Sequence, residues 1–165
     1  TARNLANLKA SKTVFDTATL HTLPEKSFDV ITLWHVLEHL PNLEDDIKTF
    51  RKLLKPNGRI VVAVPNFKSF DAHYFKNFWA AYDVPRHLWH FSQQSISNLF
   101  SEVQMKLDVT HPLVMDAYYV SLLSNKLKTG SLKILNSMWV GFLSNLKALK
   151  SGEYSSLIYV LKNKD

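Results

Sequence analysis

The chain has 165 residues, the size of a single domain, and its 46% hydrophobic content is enough for a sizeable core. The absence of cysteine excludes a disulfide framework and a thiolate metal site. No apolar run reaches the roughly 18 residues of a membrane span, and residues 1–4 do not begin a signal peptide, so we predict a soluble cytoplasmic protein. The lysines behind the net charge of +6 are spread along the chain, which favours a role in solubility, with a weaker attraction to membranes or anionic substrates.

The first residues indicate a helix that is already under way. Residues 2–8 are good helix formers, with Leu5 and Leu8 three positions apart, but no start signal precedes them. We therefore expect the sequence to be the later part of a longer protein. A short strand is predicted over residues 13–16, and residues 23–27 form a turn after it.

Residues 28–33 are an apolar, β-branched run with little alternation, which predicts a parallel strand buried on both faces. Polar and aromatic side chains crowd together where this strand should end. They are Trp34, His35, Glu38 and His39. In open α/β sheets, ligands bind beyond the carboxyl ends of the strands, so this segment is the first candidate for a functional site.

A capped amphipathic helix follows. Asn42 is a plausible N-cap, and acidic residues fill the first turn of a helix predicted over residues 43–54. The Pro-Asn-Gly sequence at residues 56–58 stops that helix, and residues 59–64 predict a second buried strand. Residues 28–64 therefore predict a strand–helix–strand unit.

Residues 67–91 hold nine of the twenty aromatic residues, partly at helical spacing. The segment breaks over residues 83–90. Ser92 then predicts the N-cap of a helix that ends near Ser101, and residues 105–109 alternate as a strand does.

Two further helices are predicted over residues 115–128 and 132–150, before a last strand at residues 157–161. The second helix has one apolar stripe. Its members are Leu135, Met138, Trp139, Phe142, Leu146 and Leu149. We expect the stripe to pack into the core; the alternative is a lid that also touches a lipid surface.

His35, Glu38 and His39 match the H-x-x-E-H pattern of inverted zinc proteases, in which two histidines on one helix bind the metal. Here the pattern follows a strand directly and meets Pro41 two residues later, which leaves little room for that helix. A zinc hydrolase is therefore the least favoured function, and we expect no metal site.

Taken together, residues 28–40, the capped helix, and residues 54–59 and 61–66 resemble class I S-adenosylmethionine-dependent methyltransferases. The similarity is greatest to the branch that includes ubiquinone-biosynthesis-type O-methyltransferases, and it covers about residues 1–110. The resemblance implies a Rossmann-like α/β sheet, mostly parallel with the last strand antiparallel, flanked by helices on both faces. It implies one methyltransferase-like domain over residues 1–165, with a helical insertion at about 113–150.

The expected strands lie near residues 13–16, 28–34 and 59–65 in parallel, with residues 105–111 and 154–162 pairing antiparallel. The resemblance also implies S-adenosylmethionine as the cofactor. Asp16, Thr17 and Ala18 would lie on its adenine side, and Leu33, Trp34 and His35 on its methionine and ribose side. The family's glycine-rich loop should precede residue 1, so we expect this piece to be inactive by itself.

Residues 83–87 resemble a recurring Asp-x-Pro-Arg-His element of the same branch. We predict His87 as the general base, Asp83 as the group that orients it, and Arg86 as an anchor for an anionic acceptor. The remaining predicted substrate-binding residues are Tyr82, Trp89 and His90. The alternative is that this segment only ties the aromatic region to the sheet through hydrogen bonds.

The predicted acceptor is a small aromatic or lipid-like molecule. One alternative is a non-catalytic interaction module on the same scaffold. Another is a nucleic-acid-binding surface, which is disfavoured because its aromatic residues fit helical burial better than an exposed platform. The basic and aromatic residues that suggest it are Lys68, Tyr74, Lys76, Trp79, Arg86 and Trp89. Peripheral membrane contact and a homodimer remain open.

Overall fold

A four-stranded mixed sheet forms the centre of the protein in the computed structural model, which describes residues 2–9 and 14–164. The strands are β1 (Phe28–Trp34), β2 (Leu54–Pro65), β3 (Met105–Pro112) and β4 (Ser156–Asn163). The helices are α1 (Ala2–Lys9), α2 (Leu43–Leu53), α3 (Phe70–Phe75), α4 (Gln93–Ser101), α5 (Asp116–Thr129) and α6 (Ile134–Ser151).

The spatial order of the strands is β1-β2-β4-β3. β1 pairs with β2 in parallel, with Ile31 opposite Ile60, whereas β4 runs antiparallel to both β2 and β3. This arrangement confirms the predicted α/β fold with a mostly parallel sheet and an antiparallel last strand. β1 and β3 are the edges of the described sheet.

The main core lies around the two central strands. Ile60 on β2 and Leu161 on β4 are fully buried, and they share one cluster with Ile47 of α2 and Phe100 of α4. The periodicity of α2 is confirmed, although the Asn42 side chain makes no capping hydrogen bond. Ser92 caps α4 as predicted, through a reciprocal pair of hydrogen bonds with Ser95.

A second cluster joins the aromatic segment to the inserted helices. Phe75 of α3 and Trp79 are almost fully buried and pack with Val120 of α5 and Val140 of α6. α5 and α6 lie in sequence between β3 and β4, at the position predicted for the helical insertion.

The expectation that residues 28–33 are buried on both faces is wrong. Phe28 is 37% exposed and Val30 is 53% exposed, while Leu33 is buried. The reason is the position of the strand, because β1 is an edge strand that pairs only with β2 among the described residues.

The strand predicted over residues 13–16 is not found either. Thr13 lies outside the described residues, and residues 14–16 belong to no strand. The backbone of Val14 pairs with the side chain of Asn7 in α1 instead, and that amide donates to the Val14 carbonyl at 3.1 Å.

The Pro-Asn-Gly sequence at residues 56–58 was expected to separate α2 from the next strand. Instead, β2 begins at Leu54, directly after α2, and includes these three residues. Phe28 lies opposite Leu54, whereas Val30 lies opposite Arg59, so residues 55–58 of β2 stand against Asp29 alone and the pairing is irregular here. A Cβ on Gly58 would lie 2.9 Å from the Asp29 carbonyl oxygen, so glycine lets the two strands approach at this point.

The predicted burial of the apolar residues along α6 is also wrong for all of them except Met138, which is partly buried. Leu135 is 87% exposed and Leu149 is 74% exposed, with Trp139, Phe142 and Leu146 exposed between them. The helix packs through small residues on its other side. These are Ser137, Val140, Gly141, Ser144 and Ala148. None of the described helices is long and apolar enough to cross a bilayer.

Candidate functional site

A cavity of about 830 Å³ opens beside the carboxyl ends of β1 and β2 and below α5. Its polar lining is concentrated near the sheet, and α5 supplies most of the apolar wall. The residues that line it are His35, Pro65, Ala80, Ala81, Asp83, Arg86, His87, Asp116, Tyr119, Val120, Leu123, Lys126, Leu127, Gly130 and Ser156. Its size is typical of sites for small molecules.

His35 is the first residue after β1, and it leaves the strand with a positive φ of 50°. Its ring lies between two carboxylates, with Nδ1 3.2 Å from Glu38 Oε1 and Nε2 3.4 Å from Asp116 Oδ2. Interactions with Asp116 and then Glu38 raise the pKa of His35 to about 9, against the opposing effect of burial. The imidazole is therefore positively charged at neutral pH.

Asp116 begins α5 and connects this charge to the inserted helices. Burial acts to raise the pKa of its carboxyl group, but side-chain hydrogen bonds, led by that of His35, outweigh burial and lower it. His35 and Asp116 therefore form an ion pair that links the end of β1 to the start of α5.

Glu38 lies between His35 and His87, behind the lining of the cavity, and is only 1% exposed. It lies on a 3-10 turn, Leu37–His39, and its backbone carbonyl accepts from the amide of Leu88 at 2.8 Å. Its Oε1 is near His35, while Oε2 has no hydrogen-bond partner in the described part of the chain. A buried carboxylate oxygen without a partner is costly and indicates a site that can accept a further donor or cation.

His87 faces Glu38 from the other side. Its Nδ1 donates to the carbonyl of Ala81 at 2.8 Å, so the neutral ring carries its lone pair on Nε2. That nitrogen lies 4.0 Å from Glu38 Oε1 and 3.9 Å from Asp83 Oδ2. The distance to Asp83 exceeds a hydrogen bond, so the Ala81 carbonyl holds the ring orientation that we predicted Asp83 would fix.

Arg86 pairs with Asp83 at 2.7 Å, with its guanidinium largely exposed at the edge of the cavity. The other three predicted substrate-binding residues do not line this cavity. Trp89 donates to the Leu40 carbonyl at 2.7 Å, and His90 donates to the Tyr82 carbonyl at 2.9 Å. These bonds are what the alternative, purely structural interpretation of the segment predicts for them.

Trp89 and His90 instead line a separate groove of about 410 Å³ with residues 41–45. The structure therefore brings His87, Asp83 and Arg86 to the cavity of about 830 Å³, whereas Trp89 and His90 do not line it.

The predicted cofactor residues divide in the same way. His35 lines the cavity, Leu33 is buried beneath it in β1, and Trp34 is 52% exposed. Asp16 caps the 3-10 turn Thr17–Thr22 by accepting from the amide of Ala18 at 3.1 Å. This turn lies against α2, where His21 contacts Thr49, and none of residues 16–18 belongs to the lining of the 830 Å³ cavity.

The two histidines of the H-x-x-E-H pattern point to different partners. His35 contacts Asp116, whereas Nδ1 of His39 donates to the Arg86 carbonyl and its ring packs edge-on against His87 at 4.7 Å. Ligand atoms of Glu38, His39 and His87 lie within 4.8 Å of one another, a separation that a metal ion can bridge. This set differs from the zinc-protease arrangement, because the turn is not a long helix and His35 is not part of it.

Sequence reasoning missed the position of Glu38 between His35 and His87, and it missed Asp116 altogether. Glu38 was visible only as one of the polar residues that follow β1 and as part of the zinc-protease pattern. In the sequence, Asp116 is visible only as an acidic residue in the first turn of a helix. The helix dipole favours an anion at that position, so the residue gave no sign of a further role.

The model of a family described as a methyltransferase domain matches residues 3–108. The chain belongs to this family of methyltransferase domains. A comparison with curated protein sequences finds no match.

Solved structures show the same fold. A candidate sarcosine dimethylglycine methyltransferase from Galdieria sulphuraria is 16% identical, with a TM-score of 0.58 over 99% of this chain and 64% of that protein. A SAM-dependent methyltransferase from Thermotoga maritima is 14% identical, with a TM-score of 0.63 over 98% of this chain and 68% of its own.

The 1,6-didemethyltoxoflavin-N1-methyltransferase of Burkholderia thailandensis, solved with S-adenosylhomocysteine, is 13% identical, with a TM-score of 0.52. The match covers 98% of this chain and 56% of that protein. The chain therefore spans between 56% and 68% of the three proteins it resembles. At these identities the likeness concerns the fold alone.

Proposed function

We propose that the protein takes part in S-adenosylmethionine-dependent methyl transfer to a small aromatic or lipid-like acceptor. The observation that carries the proposal is the cavity of about 830 Å³ at the carboxyl ends of β1 and β2, in a chain of the methyltransferase domain family. Open α/β sheets bind their ligands at this edge. The assignment to the ubiquinone-biosynthesis-type branch is part of the proposal.

The residues after β1 fit one side of the cofactor. S-adenosylmethionine would supply an electrophilic methyl group on a sulfonium, which an acceptor displaces in one step. Leu33, Trp34 and His35 would hold its methionine and ribose side, and residues 16–18 its adenine side. None of the four glycines forms a glycine-rich loop in the described residues, so we propose that this chain alone binds the cofactor weakly.

The far wall of the cavity favours an apolar acceptor. Tyr119, Val120, Leu123 and Leu127 of α5 line it. Burial of an apolar ring against such a wall contributes roughly 25 cal/mol per Å². Arg86 at the rim would hold an anionic substituent of the acceptor.

His87 is the proposed general base. Its Nε2 carries the lone pair because Nδ1 donates to the Ala81 carbonyl, so Nε2 can take the proton that the acceptor loses. Glu38 Oε1, 4.0 Å away, would stabilise the imidazolium that results. This role needs no direct hydrogen bond from Asp83, which leaves Asp83 to position Arg86.

Cofactor binding is the first test. Calorimetry should detect weak or no binding of S-adenosylmethionine to this chain, and micromolar binding to a version extended upstream by a glycine-rich strand and loop of the family. Tight binding by the chain alone would show that the cofactor is held elsewhere.

Turnover of the extended protein is the second test, followed as S-adenosylhomocysteine released with aromatic and lipid-like acceptors. His87→Ala should lower kcat by about 100-fold or more with little change in KM, because a base acts in the transition state. His90→Ala is the matched control, since it removes the same side chain from the same segment outside the cavity. Normal turnover in His87→Ala, with binding lost in Arg86→Ala, would make the segment a recognition clamp.

A further inference from the structure

The exposed side of α6 is a continuous apolar strip. We define the α6 stripe as Leu135, Trp139, Phe142, Leu146 and Leu149. Their spacing alternates between four and three residues, which places all five on one face of the helix. Each is at least 47% exposed, and the rings of Trp139 and Phe142 stack at 5.9 Å.

The packing of α6 fixes the stripe outward. Gly141 lies on the opposite face, where an added Cβ would come within 2.7 Å of the Tyr118 ring on α5. Ser137, next to it on this face, is fully buried, and Ser144 donates at 2.7 Å to the buried carboxylate of Asp71. Because this face consists of small residues committed to α3 and α5, rotating the large side chains inward would overfill the same space.

Within the hairpin that α5 and α6 form, the segment from residue 117 to residue 152 carries charge of a single sign. Residues 117–152 contain no aspartate or glutamate. They contain five lysines, namely Lys126, Lys128, Lys133, Lys147 and Lys150. Lys150 lies four residues after Leu146 and so borders the stripe, where its long side chain can reach past the apolar residues.

The lysines favour one binding partner for the α6 stripe over another. Two copies of the chain joined through the stripe would bring together lysines with no acidic residue of the hairpin to oppose them, and like charges across an interface are unfavourable. An anionic surface complements the lysines while its apolar interior accepts the stripe. Helices with an apolar face bearing aromatic residues, and with lysine as the charged residue, bind bilayer interfaces in this way.

We propose that the α6 stripe docks the protein on the surface of an anionic lipid bilayer. The helix lies in the plane of the interface, with Trp139 and Phe142 inserted among the acyl chains and with Lys133 and Lys150 at the headgroups. α6 packs through its other face against α5, which forms the apolar wall of the cavity. The docking does not depend on methyl transfer and can be tested without cofactor.

Vesicle sedimentation tests the docking directly. The chain should bind vesicles of phosphatidylcholine with about a third phosphatidylglycerol, bind pure phosphatidylcholine at least tenfold more weakly, and dissociate as salt rises. Leu146→Ser with Leu149→Ser should weaken binding to the anionic vesicles at least tenfold. Lys133→Gln with Lys150→Gln should weaken it severalfold and reduce the salt dependence.

The chain contains a matched control on α1. Leu5 and Leu8 are also two exposed leucines three residues apart on a helix, 62% and 82% exposed. Leu5→Ser with Leu8→Ser should leave vesicle binding unchanged, and circular dichroism verifies the fold of each variant. Equal losses in both pairs, or equal binding to neutral and anionic vesicles, would overturn the proposal. So would a dimer in sedimentation equilibrium that only the Leu146 and Leu149 pair of substitutions dissociates, because the stripe would then join two copies.

Discussion

The outer edge of β1 and the α6 stripe both expose large apolar side chains, but they differ in what their backbones need. In β1, Phe28, Val30 and Trp34 are exposed on a strand that pairs on one side only among the described residues. An edge strand presents unpaired amide and carbonyl groups, which another strand satisfies best. The backbone of α6 is hydrogen-bonded within the helix, so only its exposed apolar side chains would gain from contact with a partner.

This difference decides which partner each region suits. Lipid cannot satisfy a free peptide group, so a strand edge is unsuited to a membrane surface, whereas a helix can lie there without penalty to its backbone. Exposed apolar area by itself does not distinguish the two cases. What distinguishes them is whether the backbone amide and carbonyl groups are already hydrogen-bonded.

The largest effect is expected from substitution of Asp71, whose carboxylate accepts a hydrogen bond from Ser144 of α6. The carboxylate of Asp71 is fully buried and accepts from Trp79 Nε1, Ser144 Oγ and Ser155 Oγ, each at 2.7 Å. Asp71→Ala leaves these donors unpaired and should lower the free energy of unfolding by about 3 kcal/mol. Urea unfolding measures the loss.

Asp45→Ala is the control for this prediction, because the Asp45 side chain is 77% exposed and lies 3.4 Å from Lys48 Nζ. It should change the free energy of unfolding by less than about 0.5 kcal/mol. A similar small change in Asp71→Ala would mean that apolar packing alone holds α6 in place.

The link between β1 and α5, the helix against which α6 packs, should depend on pH. His35 follows β1 and pairs with Asp116 at the start of α5, and its pKa is raised to about 9 from an ordinary value of 6.5. The stabilisation is fully present below pH 6.5, where the unfolded chain is also protonated, and it is lost as the pH rises through about 9. Because the ring is 41% exposed, solvent limits the effect to about 1 kcal/mol.

His35→Gln removes the titration, so urea midpoints of wild type and variant should converge between pH 6.5 and 9.5. An NMR titration of the His35 ring gives its pKa independently. A difference between the two proteins that stays constant over this range would show that His35 acts through packing and not through its charge.

A lysine introduced on each apolar surface should affect a different property, self-association for β1 and vesicle binding for α6. Val30→Lys places a lysine on the open edge of β1 and should reduce self-association, with a change in the free energy of unfolding of no more than about 0.5 kcal/mol. Leu146→Lys should leave self-association unchanged and weaken vesicle binding. Sedimentation velocity over a range of concentrations would contradict the comparison if Leu146→Lys had the stronger effect on association.

The smallest effect is expected from the ion pair across β1 and β2. Lys55 Nζ lies 2.8 Å from Asp29 Oδ2, but both side chains are exposed. Lys55→Ala should lower the free energy of unfolding by less than about 0.5 kcal/mol, because backbone pairing holds β1 to β2. A loss above about 1 kcal/mol in urea unfolding would mean that side chains carry much of this edge.

Local patterns in the sequence determined the elements whose signals lie within a few residues. The period of α2, the cap at Ser92 and the apolar run of β2 each correspond to an element in the structure, because helix caps and side-chain periodicity depend on near neighbours. The family resemblance added the direction of the strands and the antiparallel pairing of the last two. His87 and Arg86 were also found from a local motif, and both line the cavity.

Only the tertiary structure decided which faces are covered and which distant residues meet. The periodicity of α6 shows that five apolar residues share a face. The opposite face is the buried one, because its small residues let the helices approach closely. The apolar run of β1 is the same whether the strand is central or at an edge, and its position depends on the strands beside it. The pairing of His35 with Asp116, and the burial of Glu38 between His35 and His87, arise from chain segments far apart in sequence, whose contact no local pattern encodes.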